Sequence, residues 1–306
     1  MNGAAVLPSP PVLTLTGNLL AERTLEFAAW SPGRTQRAAR ETFQVGGKGI
    51  NVTRMLERLG VPSTALCFLG GAPSSECEAW LRARPVAFHG FATSRPTRAG
   101  TVVRDRGGVH AETTFLGPDV APDPDAVRAC ASFLEAQPPG RVLALCGSMP
   151  GWRDPEFEPL RNALENWSRR GHLVVDSYGP PLADLARQPL ALLMINEDER
   201  RTLPVTAASD PLSGLPRWIV TDGPRPVRFR EANGVEESIT PPIVREISAT
   251  GSGDVLLAGV IEALFFRRQS LRDAVAFAIP LAAANAAHPG VVEFEFPPAT
   301  GNPASA

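Results

Sequence analysis

The chain has 306 residues, 43% of them hydrophobic and 20% charged, with a formal net charge of −2. This balance supports a sizeable core in one large α/β domain or two small ones. It leaves no case for electrostatic capture of nucleic acid or an anionic membrane, and no apolar run reaches the length of a membrane span. The N-terminus lacks a basic flank before an apolar core, so a cytoplasmic protein is expected. The cysteines (Cys67, Cys77, Cys130, Cys146) and histidines (His89, His110, His172, His288) are scattered without metal-ligand spacing. Cys67, Cys130 and Cys146 sit in apolar contexts and read as reduced core residues. Of the 30 basic residues, Lys48 is the only lysine, and it lies within Gly46-Gly47-Lys48-Gly49.

Taken in order, Pro8, Pro10 and Pro11 predict a loose arm. Residues 12–16 alternate as a strand does, and Gly17-Asn18 ends it. Short apolar pieces over 25–45, broken by Ser31-Pro32-Gly33, predict a hairpin-like excursion. Over 46–60, Ile50, Met55, Leu56 and Leu59 fall at helical spacing, and Gly60 is placed to end that helix. A buried strand is expected over 64–69, and shorter ones at 87–88, 101–103 and 113–116. The continuous apolar run 142–146 predicts a central parallel strand, ending in Gly147-Ser148-Met149-Pro150. A helix over 158–170 follows, then strands at 172–176, 191–195 and 217–220, and two closing helices. Buried runs that end at small or polar residues and lead into helices predict a doubly wound, mostly parallel α/β sheet with helices on both faces. Its site should lie beyond the carboxyl ends of the strands. One domain over 1–306 is expected, with 297–306 as a flexible tail.

Residues 247–264 carry the most chemistry. Thr250-Gly251-Ser252-Gly253 is a turn whose glycines can aim successive N–H groups at one point, and Asp254 opens a helix of almost wholly apolar residues. The helix start adds unpaired N–H groups and the positive end of its dipole, a combination suited to the charge that develops in phosphoryl transfer. The plainer reading is that Asp254 caps the helix. Gly46-Gly47-Lys48-Gly49-Ile50-Asn51-Val52 is not a Walker loop, because Gly follows the lysine where Ser or Thr is needed. It places Lys48 and Asn51 at a helix start, where sugar or phosphate oxygens could meet them. The alternative is a turn that happens to contain lysine.

Together the two stretches, about two hundred residues apart, resemble both signatures of the PfkB (ribokinase-like) carbohydrate kinases: Gly46 to Val52 with Leu59-Gly60, and Thr250 to Asp254 with Gly259. Gly147-Ser148-Met149-Pro150, Asn196-Glu197-Asp198-Glu199 and Thr221-Asp222-Gly223 resemble further motifs of that family. Lys48 within its glycines, with Thr97-Arg98, is most similar to the 1-phosphofructokinase and tagatose-6-phosphate kinase branch. The resemblance implies a ribokinase-like fold with a small β lid, built from parts of 17–45 and 87–116. It also implies ATP and Mg2+ as cofactors and phosphorylation of a sugar-phosphate hydroxyl. Unpaired lid edges and an apolar lid face suggest a homodimer joined through the lids.

For the residues, the resemblance implies Asp254 as the base, with the Gly251, Ser252 and Gly253 amides holding the developing anion. Gly47, Lys48, Asn51 and Ser148 would line the sugar side, with Glu22 accepting sugar hydroxyls. Arg98 would pair with the phosphate already on the sugar; otherwise it is a solvated lid arginine. Asn196, Thr221, Gly223 and Asn285 fall on the nucleotide side together with Gly251 and Gly253. Asn196 and Glu199 would orient magnesium through water; the plainer alternative, a surface carboxylate in an acidic run, is outweighed by the Asn-x-x-Glu spacing after an apolar strand. Departures cluster on the rims. Glu22 stands where the family has Asp, and Met194 where it has a nucleotide-side lysine. Gly100 replaces an amide residue, and Glu112 replaces a second lid arginine. A kinase of an unphosphorylated sugar or nucleoside, and a non-catalytic binder, are the rival readings.

Overall fold

The structure is a computed structural model that describes residues 12–297 apart from 106, 108–111, 204–211 and 232–233. The expected N-terminal arm, and the tail beyond 297, lie outside the described residues.

The strands are β1 (Val12–Thr16), β2 (Leu20–Phe27), β3 (Arg40–Gly46), β4 (Ser63–Gly70), β5 (Phe88–Thr93), β6 (Arg98–Asp105), β7 (Glu112–Leu116), β8 (Val142–Cys146), β9 (His172–Asp176), β10 (Leu192–Asn196), β11 (Trp218–Thr221), β12 (Val227–Arg230) and β13 (Glu236–Ile239). Nine of them form one sheet in the order β13-β12-β11-β10-β9-β8-β1-β4-β5. From β11 to β5 every pairing is parallel; β12 and β13 are antiparallel additions at one edge. Those two short edge strands were not foreseen, because their alternating charged residues lack the apolar run that marks a buried strand.

Period-2 alternation sorts each central strand between two cores. In β8, Val142, Ala144 and Cys146 face the layer of helices Lys48–Arg58, Ser252–Ile261 and Leu271–Ala286. Leu143 and Leu145 face the layer of Pro124–Glu135 and Glu158–Arg170. Burial of each large side chain contributes about 1.5–3 kcal/mol, and with Trp167 and Leu134 on one face and Met55 and Ile261 on the other fully enclosed, neither layer is dispensable. All four cysteines are free and buried. Cys77, which the sequence left unassigned, joins a third cluster under helix Gly71–Arg82. Among the described residues no helix is long and apolar enough to cross a membrane.

A second sheet, β3-β2-β6-β7, is assembled from two excursions that leave the carboxyl ends of the main sheet, one after β1 and one after β5. β2 and β6 pair in parallel and the outer pairs are antiparallel, so β3 and β7 are the open edges.

Candidate active site

The carboxyl ends of β1, β8, β9, β10 and β11 deliver Thr16, Cys146, Asp176, Asn196 and Thr221 to one edge of the sheet. β1 sits there between β8 and β4, where the winding reverses. A cleft of about 740 Å³ opens along that edge, between the small sheet and the start of helix Ser252–Ile261. It is lined by Glu22, Gly47, Lys48, Asn51, Arg98, Ser148, Asn196, Thr221, Gly223, Gly251, Ser252, Gly253 and Asp254, which is every site residue expected from sequence except Glu199 and Asn285.

At the floor, Gly251 is in the left-handed conformation (φ 77°) and begins helix Ser252–Ile261 without a side-chain cap. A Cβ at Gly251 would lie 2.3 Å from Val291 Cγ1, so glycine is required there by both space and conformation. Over Gly253, by contrast, a Cβ would meet nothing within 4 Å; the backbone there is open to a ligand. The Ser252 N–H donates to Ala249 O at 3.2 Å, so that amide closes the turn and Ser252 offers the cleft its hydroxyl instead.

Asp254 does not cap its own helix. It is buried, and its Oδ2 accepts from Asn51 Nδ2 at 2.8 Å, a contact spanning 203 residues that ties the two glycine motifs together. Burial pushes its carboxyl up to about 7 and the Asp176 charge adds to that, against the lowering effects of Lys48 and Asn51. A carboxylate so poised can take a proton near neutral pH. Lys48 Nζ bonds Asp176 Oδ1 at 2.7 Å and lies 3.5 Å from Glu199 Oε1. Burial opposes its charge, but Asp176, Glu199 and Asp254 outweigh that and hold the ammonium above its ordinary range.

Asn196 and Glu199 form a reciprocal capping box at the start of helix Glu197–Thr202, with Asn196 N–H to Glu199 Oε2 at 2.9 Å and Glu199 N–H to Asn196 Oδ1 at 2.8 Å. Glu199 is therefore neither a free surface carboxylate nor a residue of the cleft wall. It sits behind Lys48, and desolvation raises its pKa. Asn285, expected on the nucleotide side, does not line the cleft: it is 1% exposed, and its amide bonds Thr250 O, Ser252 Oγ and Val292 N–H. Met194, which stands where the family has a lysine, faces the helix-side core and does not line the cleft.

At the opposite end the cations are paired. Arg98 Nη1 meets Asp119 Oδ1 at 2.8 Å, and the same oxygen accepts from Asn18 Nδ2, which also reaches Ser148 Oγ at 2.9 Å. Glu112 lies opposite Arg104 across β6 and β7, at 3.0 Å, and both line the cleft. Glu22 bonds Gln44, and desolvation raises its pKa. The sequence reading missed Asn18, Gln44, Arg104, Asp119 and the pairing of Asp176 with Lys48. For Asp176, its place at the carboxyl end of a buried strand was an available signal; Asp119 and Gln44 carried none.

The fold and this arrangement define a kinase of small molecules. A model of the pfkB family carbohydrate kinases matches residues 16–297, so the chain belongs to that family and is a sugar kinase, a phosphotransferase with an alcohol acceptor. Kinases of this family use ATP, generally with Mg2+. The chain is 25% identical over 297 residues to 1-phosphofructokinase of Borreliella burgdorferi, covering 93% of this chain and 94% of that one. Its fold is similar to a variant of phosphofructokinase-2 from Escherichia coli (TM-score 0.81, 23% identity, 91% and 94% covered). It is also similar to that enzyme in complex with fructose-6-phosphate (TM-score 0.79, 22% identity, 90% and 93% covered).

Proposed function

We propose that the chain transfers the γ-phosphoryl group of ATP to a hydroxyl of a phosphosugar of the fructose 1-phosphate kind. The observation that carries the reading is Asp254, buried at the cleft floor with a carboxyl pushed up to about 7, beside an open Gly253 backbone and a helix start. Asp254 takes the acceptor proton. The Gly251 to Gly253 loop, through backbone N–H groups and the Ser252 hydroxyl, meets the charge that develops. Asn51 keeps the carboxylate oriented, and Lys48 places a cation between Asp176 and Glu199 whose charge lowers the Asp254 pKa. Gly47, Asn51 and Ser148 border the acceptor, Glu22 faces its hydroxyls, and Arg98 has the planar fork that a phosphate on the sugar needs. Thr221, Gly223 and Asn196 border the nucleotide, with Ile279, Ala282, Ala283 and Ala286 as an apolar wall for its base.

The hard oxygens of Asn196 and Glu199 suit Mg2+, and both are partly engaged in the capping box, which fits an ion held chiefly by phosphates and water, with these two residues as outer partners. Mg2+ supplies neutralisation of phosphate charge.

The small sheet acts as a lid of the one domain, excluding water that competes with the sugar hydroxyl. Exposed Phe115 and Leu116 on edge strand β7 support a homodimer through the lids, which light scattering tests. A cytoplasmic location accords with the same reading.

An ADP-release assay over phosphorylated and free sugars tests the function. Turnover with a ketose phosphate, lost in Asp254→Asn, is expected. A second reading, an unphosphorylated acceptor, is favoured by the pairing of Arg98 with Asp119 and by Glu22 and Glu112 in the same wall. Activity confined to free sugars or nucleosides would establish it. Ligand binding without turnover on any acceptor would make the chain a binder instead.

A further inference from the structure

Asn285 is the one expected nucleotide contact that the fold removes from the cleft, and its surroundings give it another role. Its Nδ2 donates to Thr250 O at 2.9 Å and to Ser252 Oγ at 3.1 Å, the two residues flanking Gly251. Its Oδ1 accepts from Val292 N–H at 2.8 Å. Amide orientation is settled by these partners, since Thr250 O can only accept and Val292 N–H can only donate.

Val292 is one of two non-glycine residues with positive φ (59°) among the described residues, a strained state for a β-branched side chain. It is held between Asn285 and Arg58, whose guanidinium takes Val292 O at 2.9 Å and Phe294 O at 2.6 Å and lies over the Phe294 and Phe296 rings. Next to it, Val291 fills the space over Gly251. The segment 290–296 is thus braced by the helix that carries Lys48 and Asn51, and it presses on the loop that carries Gly251 to Asp254.

Resting on the kinase reading, we propose that Asn285 is a positioning residue for phosphoryl transfer. It fixes the Gly251 turn against the 290–296 segment and makes the Ser252 hydroxyl a donor to the transferring phosphoryl oxygen. Because Asn285 donates to Ser252 Oγ, the hydroxyl keeps its own proton for another acceptor, and Ser252 lines the cleft. An oxygen receiving that hydrogen bond gains most when negative charge builds on it.

The test compares Asn285→Ala, Asn285→Asp, Ser252→Ala and the Asn285→Ala/Ser252→Ala double variant. Asn285→Asp preserves volume and the acceptor for Val292 N–H, but turns an acceptor toward Ser252, so the hydroxyl must donate backwards. Both Asn285 variants should lose kcat by roughly 10- to 100-fold, since loss of a direct oxyanion donor costs about 10²–10³. ATP-analogue affinity by calorimetry should stay within about threefold, and the double variant should lose little beyond Ser252→Ala. Unchanged kcat, additive losses, or weakened nucleotide affinity with kcat retained would overturn the proposal. If the wild type turns over no acceptor, the kinase reading fails by itself. Hydrogen exchange then decides: faster exchange confined to 250–254 and 292 in Asn285→Ala supports the bracing, and unchanged exchange there overturns it.

Discussion

The two ends of the cleft are built on opposite principles. At the end proposed for phosphoryl transfer, Asp254 is bonded to Asn51 and Asp176 to Lys48, joining three distant parts of the chain, and both carboxylates are buried. At the end proposed for the acceptor, Arg98, Arg104, Glu112 and Glu22 hang from the small sheet with its open edges and Asp119 follows in the loop after β7, each charge answered by a neighbour that a ligand could displace. On the proposed reading, chemistry common to any acceptor falls where the carboxylates are buried and hydrogen-bonded. Selection among acceptors is left to side chains that can re-pair. A buried charge left unpaired costs several kcal/mol, whereas an exposed pair contributes about 0–1, so substitutions at the two ends should differ in kind.

The sharpest break in that contrast is Asp254→Asn. It should lower kcat by roughly 10²–10⁴-fold, the usual worth of a general base, without abolishing nucleotide binding. The same substitution has a stability signature. The folded pKa of about 7 exceeds the ordinary carboxyl value, so this group contributes stability that is fully present at low pH and lost as pH rises toward and through 7. Thermal unfolding should show the wild type weakening over that window and Asp254→Asn weakening less.

Next in size, Lys48→Met leaves Asp176 buried without its partner. A loss of about 3–5 kcal/mol in denaturant unfolding is expected from the broken buried pair, together with an activity limb displaced to higher pH, because the cation lowers the Asp254 pKa. Asp176→Asn should displace the limb the other way, since the Asp176 charge raises it. A pH profile of kcat/KM that rises through about 7 in the wild type and does not move in either variant would sever Asp254 from the chemistry.

Gly251→Ala should be intermediate. The added methyl collides with Val291 and the turn needs positive φ, so kcat should fall by at least roughly tenfold, with a strain cost of about 1–3 kcal/mol.

The smallest effects belong to the rim. Arg98→Ala should raise the KM for a phosphosugar with little change in kcat or melting temperature. Asp119→Asn, which frees Arg98, should lower that KM. If neither value moves while activity persists, Arg98 is a structural lid residue and the acceptor carries no phosphate there.

Local signals in the chain made both glycine motifs, the strand run over 142–146 and the lone lysine legible, because turn chemistry and apolar periodicity act within a few residues. Pairings across the fold left no such mark. Asp176 looked like an ordinary strand end, Glu199 like a magnesium partner or a surface acid, and Asn285 like a nucleotide contact. Each role depends on what lies opposite in space.

By itself, then, the sequence determined the alternation of buried strands and helices, the turn geometry at Gly251, and the presence of an acid at the helix start. Only the tertiary structure decided that the acid is buried against Asn51, that Lys48 bridges two carboxylates, and that Asn285 braces the loop. Backbone conformation follows from neighbours along the chain, whereas a pKa near 7 follows from desolvation and charges brought together across 78 to 206 residues of sequence, the separations of Asp254 from Asp176 and from Lys48.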